Sequence, residues 1–507
     1  MPTLKMAAVL SKAPPQNLEV EIGLWGNDLT LGAAGASKGA SSLIDLQHVL
    51  RRAFPHIDFL LDTKYQRLRC LPIHFQPLRD YLLGEVAAGR YANLRLNFDP
   101  LPPLDFEPKL TLEARPYQTQ AVEAWQATQN QGVVVLPTGA GKTFVAAMAI
   151  ARTQVATLVI VPTIDLLQQW QTALAAYFGL KDKAAIGVWG GGKQEIKPLT
   201  IMTYDSAIIH TRHLNKFGLL VFDEAHHLPA ESYRNAAEGA FATYRLGLSA
   251  TPERADNLHH LLDRLIGPEV YRRLPGDLTR QKFLATYREE KIMVDLSATE
   301  RTEYDRLTAV YKKYLNKMRF AGGYSKFAGV GSLYQQMIYQ SGRNPQAREA
   351  LLAHQKARQL SFNAEAKLHE IEKLLQKHRN DKVIIFSEFN SVVDEVNQRL
   401  LVPAITYKTR ADERKLILDR FRAGRYSKLV SGRVLNEGVD VPDANIAIVV
   451  SGNSTAREYI QRLGRVLRPK ASQAVLYELI SDDTGEINTA RTRKRSSRQK
   501  AVRDEER

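Results

Sequence analysis

The chain has 507 residues, enough for three or four domains of ordinary size and for a core that needs no covalent staples. Its 70 Lys and Arg against 54 Asp and Glu leave a formal charge of +16, which points to a polyanionic partner, nucleic acid before an acidic membrane surface. Cys70 is the only cysteine, which excludes an intramolecular disulfide framework and a multi-cysteine zinc site. No apolar run reaches the roughly 18 residues of a spanning helix, and the stretch after Met1 is too short to read as a signal peptide, so the chain is expected in the cytoplasm with no membrane role.

Residues 1–98 carry no named motif and read as a small α+β accessory domain, with DNA binding one role open to it. Leu18, Val20, Ile22 and Leu24 alternate as in a half-buried strand that runs into a turn at Trp25-Gly26-Asn27-Asp28. A second strand pair is expected between Asp58 and Leu71, around Asp62-Thr63-Lys64. Pro100, Pro102, Pro103 and Pro108 then make 99–111 a stiff, extended linker.

Across 112–295, short β-branched runs alternate with helical segments: Val133–Leu136, Ala156–Val161, Leu199–Thr203, Leu219–Phe222 and Tyr244–Ser249. That alternation predicts a parallel, doubly wound sheet. It restarts across 363–483, with strands at Lys382–Phe386, Ala404–Thr406, Lys428–Val430, Asn445–Val450 and Val475–Ile480. Two similar α/β lobes result. Between them, residues 296–362 form a basic helical insert in which 301–360 hold eleven Lys or Arg against three Asp or Glu. Tyr304, Tyr311, Tyr314, Phe320, Tyr324, Phe327, Tyr334 and Tyr339 are interleaved there. The mixture suits a surface that grips a strand through phosphates and base faces, and equally an ordinary helical insert with an aromatic core. Residues 484–507 read as a charged tail.

Leu136-Pro137-Thr138-Gly139-Ala140-Gly141-Lys142-Thr143 lies between a strand and a helix. Thr138, Gly139 and Gly141 let backbone N–H groups turn toward a phosphate chain, with a helix N-terminus behind them. Lys142 would reach the β- and γ-phosphates of ATP, and the Thr143 hydroxyl would ligate Mg²⁺. Val221-Phe222-Asp223-Glu224 ends a later strand in two carboxylates. Asp223 would hold the magnesium shell, and Glu224 would orient and deprotonate the attacking water. Two adjacent histidine pairs, His226-His227 and His259-His260, have no cysteine cluster to make a zinc site with them.

Asp223-Glu224-Ala225-His226, Ser249-Ala250-Thr251 and the run Gln461-Arg462-Leu463-Gly464-Arg465-Val466-Leu467-Arg468 resemble the motifs of superfamily 2 helicases of the DEAH type. Arg115-Pro116-Tyr117-Gln118, Thr203-Tyr204, Val434 to Pro442 and Glu458-Tyr459-Ile460-Gln461 narrow the resemblance to XPB-type DNA repair helicases, over about residues 112–480. The resemblance implies two RecA-like doubly wound parallel-sheet domains with ATP and Mg²⁺ held between them. It implies that Arg115 and Gln118 contact the nucleotide, with Gln118 reading adenine, and that Ser249-Ala250-Thr251 links the ATP site to the nucleic-acid path. Gly438 and Asp440 would shape the nucleotide-sensing loop. Gln461, Arg465 and Arg468 would act in hydrolysis, the arginines as fingers. The basic insert stands where relatives carry a thumb-like element, and residues 1–98 where they carry a damage-recognition domain, without a residue match.

Two departures stand out. Leu136 occupies a position that is glycine in many phosphate loops, and the family's Arg-Glu-Asp loop reads Arg254-Ala255-Asp256, which bears on strand separation rather than on ATP hydrolysis. The expected function is an ATP-dependent DNA helicase or translocase in DNA repair, a monomeric motor moving 3′ to 5′ on single-stranded or forked DNA, open to a nuclease or repair-protein partner. The alternatives are a duplex translocase subunit of a restriction or defence system, a non-unwinding nucleic-acid-binding ATPase, and an RNA helicase.

Overall fold

The alternation at the start of the chain becomes a hairpin in the computed structural model, which describes residues 18–34, 40–254, 256–274, 287–321, 330–432, 444–450 and 474–487. β1 (Glu19–Trp25) and β2 (Asp28–Ala34) pair antiparallel, with Trp25 opposite Asp28 across a two-residue turn that Gly26 enters at φ 61°. β3 (Leu60–Asp62) and β4 (Arg67–Cys70) form the second expected pair, and β5 (Asn93–Leu96) joins β1 in parallel. The sheet order is β3-β4-β2-β1-β5. Val20, Ile22, Leu29 and Leu31 bury one face against Leu46 and Leu50 of helix Ala40–Ala53 and Leu78 and Leu82 of helix Phe75–Ala87. Phe241, from far along the chain, completes this core at 5.6 Å from Phe75 and 4.6 Å from Phe98, ring centre to ring centre.

The proline-rich stretch does not run free. Ala156 N–H donates to Pro102 O (2.6 Å), Leu104 N–H to Gln154 O (3.0 Å) and Thr111 N–H to Tyr177 O (2.8 Å). Prolines withhold their own donors but leave carbonyls that a neighbouring lobe can pair, so 99–111 is docked where the sequence suggests a linker.

The second sheet has eight strands: β6 (Gln131–Val135), β7 (Thr157–Val161), β8 (Gly187–Gly190), β9 (Lys193–Glu195), β10 (Leu199–Thr203), β11 (Leu219–Asp223), β12 (Tyr244–Ser249) and β13 (Glu269–Arg272). Their order is β13-β6-β12-β11-β7-β10-β8-β9, all parallel except β9. Every residue of β7, β10 and β11 is buried, as a sheet covered on both faces requires. Helices Pro116–Ala127, Lys142–Thr153 and Ile164–Tyr177 pack side by side along it. Buried Arg245 of β12 donates to the carbonyls of Ala237, Ala240, Ala242 and Leu265, and burial lowers its pKa to about 10.

The chain divides at Asp277 into two units, and the third sheet belongs to the second. It comprises β14 (Tyr287–Val294), β15 (Val383–Phe386), β16 (Ala404–Ile405), β17 (Lys428–Ser431), β18 (Ile446–Val449) and β19 (Ala474–Ser481), all parallel in the order β14-β19-β18-β15-β17-β16. This corrects the reading of 112–295 as one lobe: Tyr287–Val294 pairs with β19 over eight positions. Arg288-Glu289-Glu290-Lys291 disguises it as a loop, yet an edge strand tolerates such charge because only one side is paired. Glu486 likewise does not behave as part of a tail, since it is buried with its carboxylate 2.9 Å from Lys367 Nζ. Residues 488–507 lie outside the described set.

Helices Ala298–Ala321, Val330–Ser341 and Pro345–Phe362 form the insert. Tyr314 packs with Met337, Ala347 and Ala350, and Tyr311 and Tyr334 lie against them, Tyr311 stacking on His354 at 4.2 Å. Tyr304 packs likewise against Leu307, Ala353 and Ala357, so apolar packing accounts for four of the interleaved rings, while Tyr339 is exposed. Tyr324, Phe327 and the Phe320 side chain lie outside the described residues.

Candidate functional site

Parallel strands end at one edge of a sheet, so loops distant in sequence meet there. On the eight-stranded sheet, β6 runs into the loop 136–141 and then helix Lys142–Thr153. Gly139 (φ 85°) and Gly141 (φ 81°) take the left-handed conformation that lets the loop curl. A Cβ on Gly141 would stand 2.6 Å from Gln118 Nε2 and so would displace that amide from its place beside the loop. Lys142 is buried, its ammonium 3.4 Å from Leu136 O. Thr138 Oγ1 is buried without a hydrogen-bond partner among the described residues. A phosphate chain would meet that hydroxyl, the ammonium and the N–H groups of the helix start, so these residues fit a nucleotide. Thr143 lies half-buried in the first turn.

The loop is held from outside by the residues at the start of helix Pro116–Ala127. Gln118 Nε2 donates to Ala140 O (3.0 Å) and Tyr117 Oη to the same carbonyl (2.8 Å). Arg115 N–H donates to Gln118 Oε1 (2.9 Å), one half of a capping box, since an arginine side chain has no acceptor to complete it, and Arg115 Nη1 reaches Tyr117 Oη at 3.2 Å. Gln118 therefore gives one amide N–H to the phosphate loop and its amide oxygen to the Arg115 N–H in this structure.

β11 ends in the paired carboxylates. Asp223 is only 5 % exposed. Its Oδ2 accepts from Trp170 Nε1 (2.7 Å), its Oδ1 from Glu224 N–H (3.0 Å), and its carbonyl from Tyr204 Oη (3.1 Å). Burial, and then the Glu224 charge, push the Asp223 pKa up to about 6 against the opposing pull of Lys142 and Trp170. A cation beside it would relieve that accumulation, as Mg²⁺ held with Thr143 would do. Glu224 has φ 46°, a left-handed backbone that costs a non-glycine residue roughly 1–3 kcal/mol and sits where the sequence places the water-activating group.

Beyond it, His226 Nδ1 lies 3.4 Å from Glu224 Oε2 and 3.3 Å from Ser249 Oγ, which accepts from Thr251 N–H at 3.2 Å. Arg254 Nη1 donates to His226 O (2.6 Å) and grips Asp256 through Nε and Nη2 (2.9 and 2.6 Å). That grip draws the Asp256 carboxyl down to about 2. The carboxylate motif and Ser249-Ala250-Thr251 are therefore one connected network. Ala255 lies outside the described residues, as do Gly438, Asp440, Gln461, Arg465 and Arg468. Among the described residues, no three or more His, Cys, Asp or Glu side chains converge on a metal position.

Trp170 was not legible as a site residue, and the hydroxyl contacts of Tyr117 and Tyr204, which lie inside the motifs at 115–118 and 203–204, were not legible either. Trp170 follows Gln168-Gln169 at a position that reads only as the apolar stripe of a helix, and nothing in the sequence distinguishes its N–H from that of any core tryptophan.

The loop, helix start and strand-end carboxylates define a nucleotide-binding α/β lobe of the phosphate-loop class. The family model described as "Type III restriction enzyme, res subunit" matches residues 111–254, and that described as "ERCC3/RAD25/XPB C-terminal helicase" matches residues 347–498. The chain is 40% identical over 384 residues to the DNA 3'-5' translocase XPB2 of Sulfurisphaera tokodaii, covering 76% of this chain and 85% of that protein. It is 31% identical over 395 residues to the DNA 3'-5' helicase XPB of Mycobacterium tuberculosis, covering 76% of this chain and 63% of that one. The crystal structure of the Pyrococcus furiosus Hef helicase domain is similar at 20% identity and TM-score 0.48, over 75% of this chain and 98% of that one. The chain belongs to the XPB helicase family.

Proposed function

We propose that this chain is an ATP-driven motor that moves 3′ to 5′ along DNA and serves in DNA repair. The observation that carries the reading is the gathering of Lys142, Asp223 and Glu224 at one sheet edge, beside an orphaned Thr138 hydroxyl, in a chain of the XPB family.

Lys142 would neutralise the β- and γ-phosphates, with Thr138 and the backbone of Gly139 and Gly141 donating around them. Thr143 and Asp223 would hold Mg²⁺, which supplies further charge neutralisation on the phosphates. Glu224 would take a proton from the water that attacks the γ-phosphorus, and ADP leaves. Arg465 and Arg468 would steady the charge of the transferring group, a contribution of about 10³–10⁵ in rate for an arginine finger. Gln461, Gly438 and Asp440 would tie nucleotide state to the strand. Contacts to the phosphate backbone suit a chain with a net charge of +16, since such contacts carry affinity without reading sequence. The 298–362 helices and the 18–98 domain would add DNA contacts. A monomeric motor at the nucleoid, able to recruit a nuclease or repair protein, completes the proposal; no helix among the described residues is long and apolar enough to cross a membrane.

The match of 111–254 to a restriction-enzyme subunit favours a second reading, a duplex translocase that moves without separating strands. The test is ATP turnover with single-stranded, forked and duplex DNA and with RNA, alongside strand release from the fork. DNA-stimulated turnover with released strand supports the helicase. Duplex-stimulated turnover without release supports the translocase, and stimulation by RNA alone overturns both.

A further inference from the structure

Trp170 sits in the middle of helix Ile164–Tyr177, which follows β7, the strand beside β11. Thr163 fixes the start of that helix, its hydroxyl accepting from Leu166 N–H at 3.3 Å. Trp170 is 2 % exposed, and its single donor is committed to Asp223 Oδ2 at 2.7 Å. Each carboxylate oxygen of Asp223 thus takes one N–H, from Trp170 on one side and from Glu224 on the other. A carboxylate held at both oxygens cannot rotate about its Cβ–Cγ bond without breaking a charge-assisted hydrogen bond. The backbone of the same residue is pinned separately by Tyr204 Oη.

A core filler at position 170 would not need an N–H, since leucine or phenylalanine buries comparable apolar area without a donor to satisfy. The donor is directed instead to the one carboxylate that, on the reading above, faces the nucleotide's cation. Groups that orient a metal-holding side chain typically contribute about 10–100-fold to metal affinity.

We propose that Trp170 is a positioning residue for the magnesium–nucleotide site, fixing the plane in which the Asp223 carboxylate meets its cation. The inference rests on Asp223 being the magnesium-side carboxylate, and the test separates the two. Equilibrium binding of ADP to the full chain is measured across a Mg²⁺ titration for wild type, Trp170→Phe, Tyr204→Phe and Asp223→Asn. Trp170→Phe should raise the Mg²⁺ concentration for half-maximal binding by about tenfold or more, with metal-free ADP binding unchanged. Tyr204→Phe, which removes a buried hydrogen bond to the backbone of the same residue, should leave that midpoint in place. A midpoint moved by Asp223→Asn but not by Trp170→Phe overturns the role of Trp170 alone. A midpoint indifferent to Asp223→Asn overturns the magnesium assignment with it. Equal shifts in Trp170→Phe and Tyr204→Phe would mean general loosening and also overturn the proposal.

If Trp170→Phe does not fold, wild-type chain labelled with fluorotryptophan carries the test, since it holds only four tryptophans. Phenylalanine variants of the other three assign the fluorine signals. Adding Mg²⁺ to the ADP complex should move the Trp170 signal and leave those of Trp25, Trp125 and Trp189; a stationary Trp170 signal contradicts the proposal.

Discussion

The five-stranded sheet of residues 19–96 and the eight-stranded sheet of residues 131–272 share one unit of the chain yet are built in opposite ways. In the first, two hairpins, β1-β2 and β3-β4, lie side by side antiparallel and only β5 runs parallel to its neighbour β1, so loops fall at both edges and hold turn residues such as Gly26. In the second, β6, β11 and β12 run the same way, and the loops at 136–143, 223–227 and 249–256 collect at one edge although more than a hundred residues separate the outermost. Lys142, Asp223 and Glu224, the groups proposed for phosphate chemistry, lie at that edge. Topology, rather than composition, gathers the site.

Glu224→Gln should have the largest effect on turnover at the parallel sheet's edge. Replacing the carboxylate at the end of β11 should lower DNA-stimulated ATP turnover by about 10²–10⁴ while nucleotide binding persists. Steady-state hydrolysis beside ADP affinity checks this, and retained hydrolysis would move the water-activating group elsewhere.

Phe241→Ala probes where the two sheets meet. Phe241 packs between Phe75 and Phe98, so truncation should cost about 3–5 kcal/mol in denaturant unfolding. Limited proteolysis should cut the 18–98 domain first, with ATP turnover retained. Unchanged stability would mean that the small sheet does not depend on its neighbour.

Asp223→Asn should give the smallest change in stability and the most diagnostic sign. The folded-state pKa of Asp223 is raised to about 6, so the folded chain holds this proton more tightly than the unfolded one. Its contribution favours folding below the ordinary carboxylate range and is lost as pH rises through about 6. At pH 8 the ionised group burdens the fold, and Asp223→Asn should raise the midpoint of thermal unfolding by roughly 2–4 °C while abolishing turnover. The gain should shrink as the pH falls below about 6. A loss of stability at pH 8 would mean that the charge is better compensated than its surroundings indicate.

Much of this was legible in the sequence, for physical reasons that differ by element. Val133–Leu136 before Gly139 and Gly141, and Leu219–Phe222 before Asp223-Glu224, are short apolar runs with sharp polar ends, which only buried parallel strands need. The hairpin at Trp25–Asp28 was legible because alternation and turn chemistry agree. Tyr287–Val294 was hidden because an edge strand accepts four consecutive charged residues. The docking of 99–111 was hidden because backbone pairing leaves no side-chain signature. Gln118 was legible as a site residue, but not its grip on Ala140, and the bond from Trp170 to Asp223 joins residues 53 positions apart through a side chain that reads as core.

The most direct test of the phosphate-loop assignment is ATP turnover and ADP binding by Lys142→Ala in the presence of single-stranded DNA, with the unfolding transition followed on the same sample. Turnover should fall to background and ADP binding weaken in a chain that unfolds as wild type does. Turnover at the wild-type rate in that folded variant would rule out Lys142 as the phosphate-loop lysine.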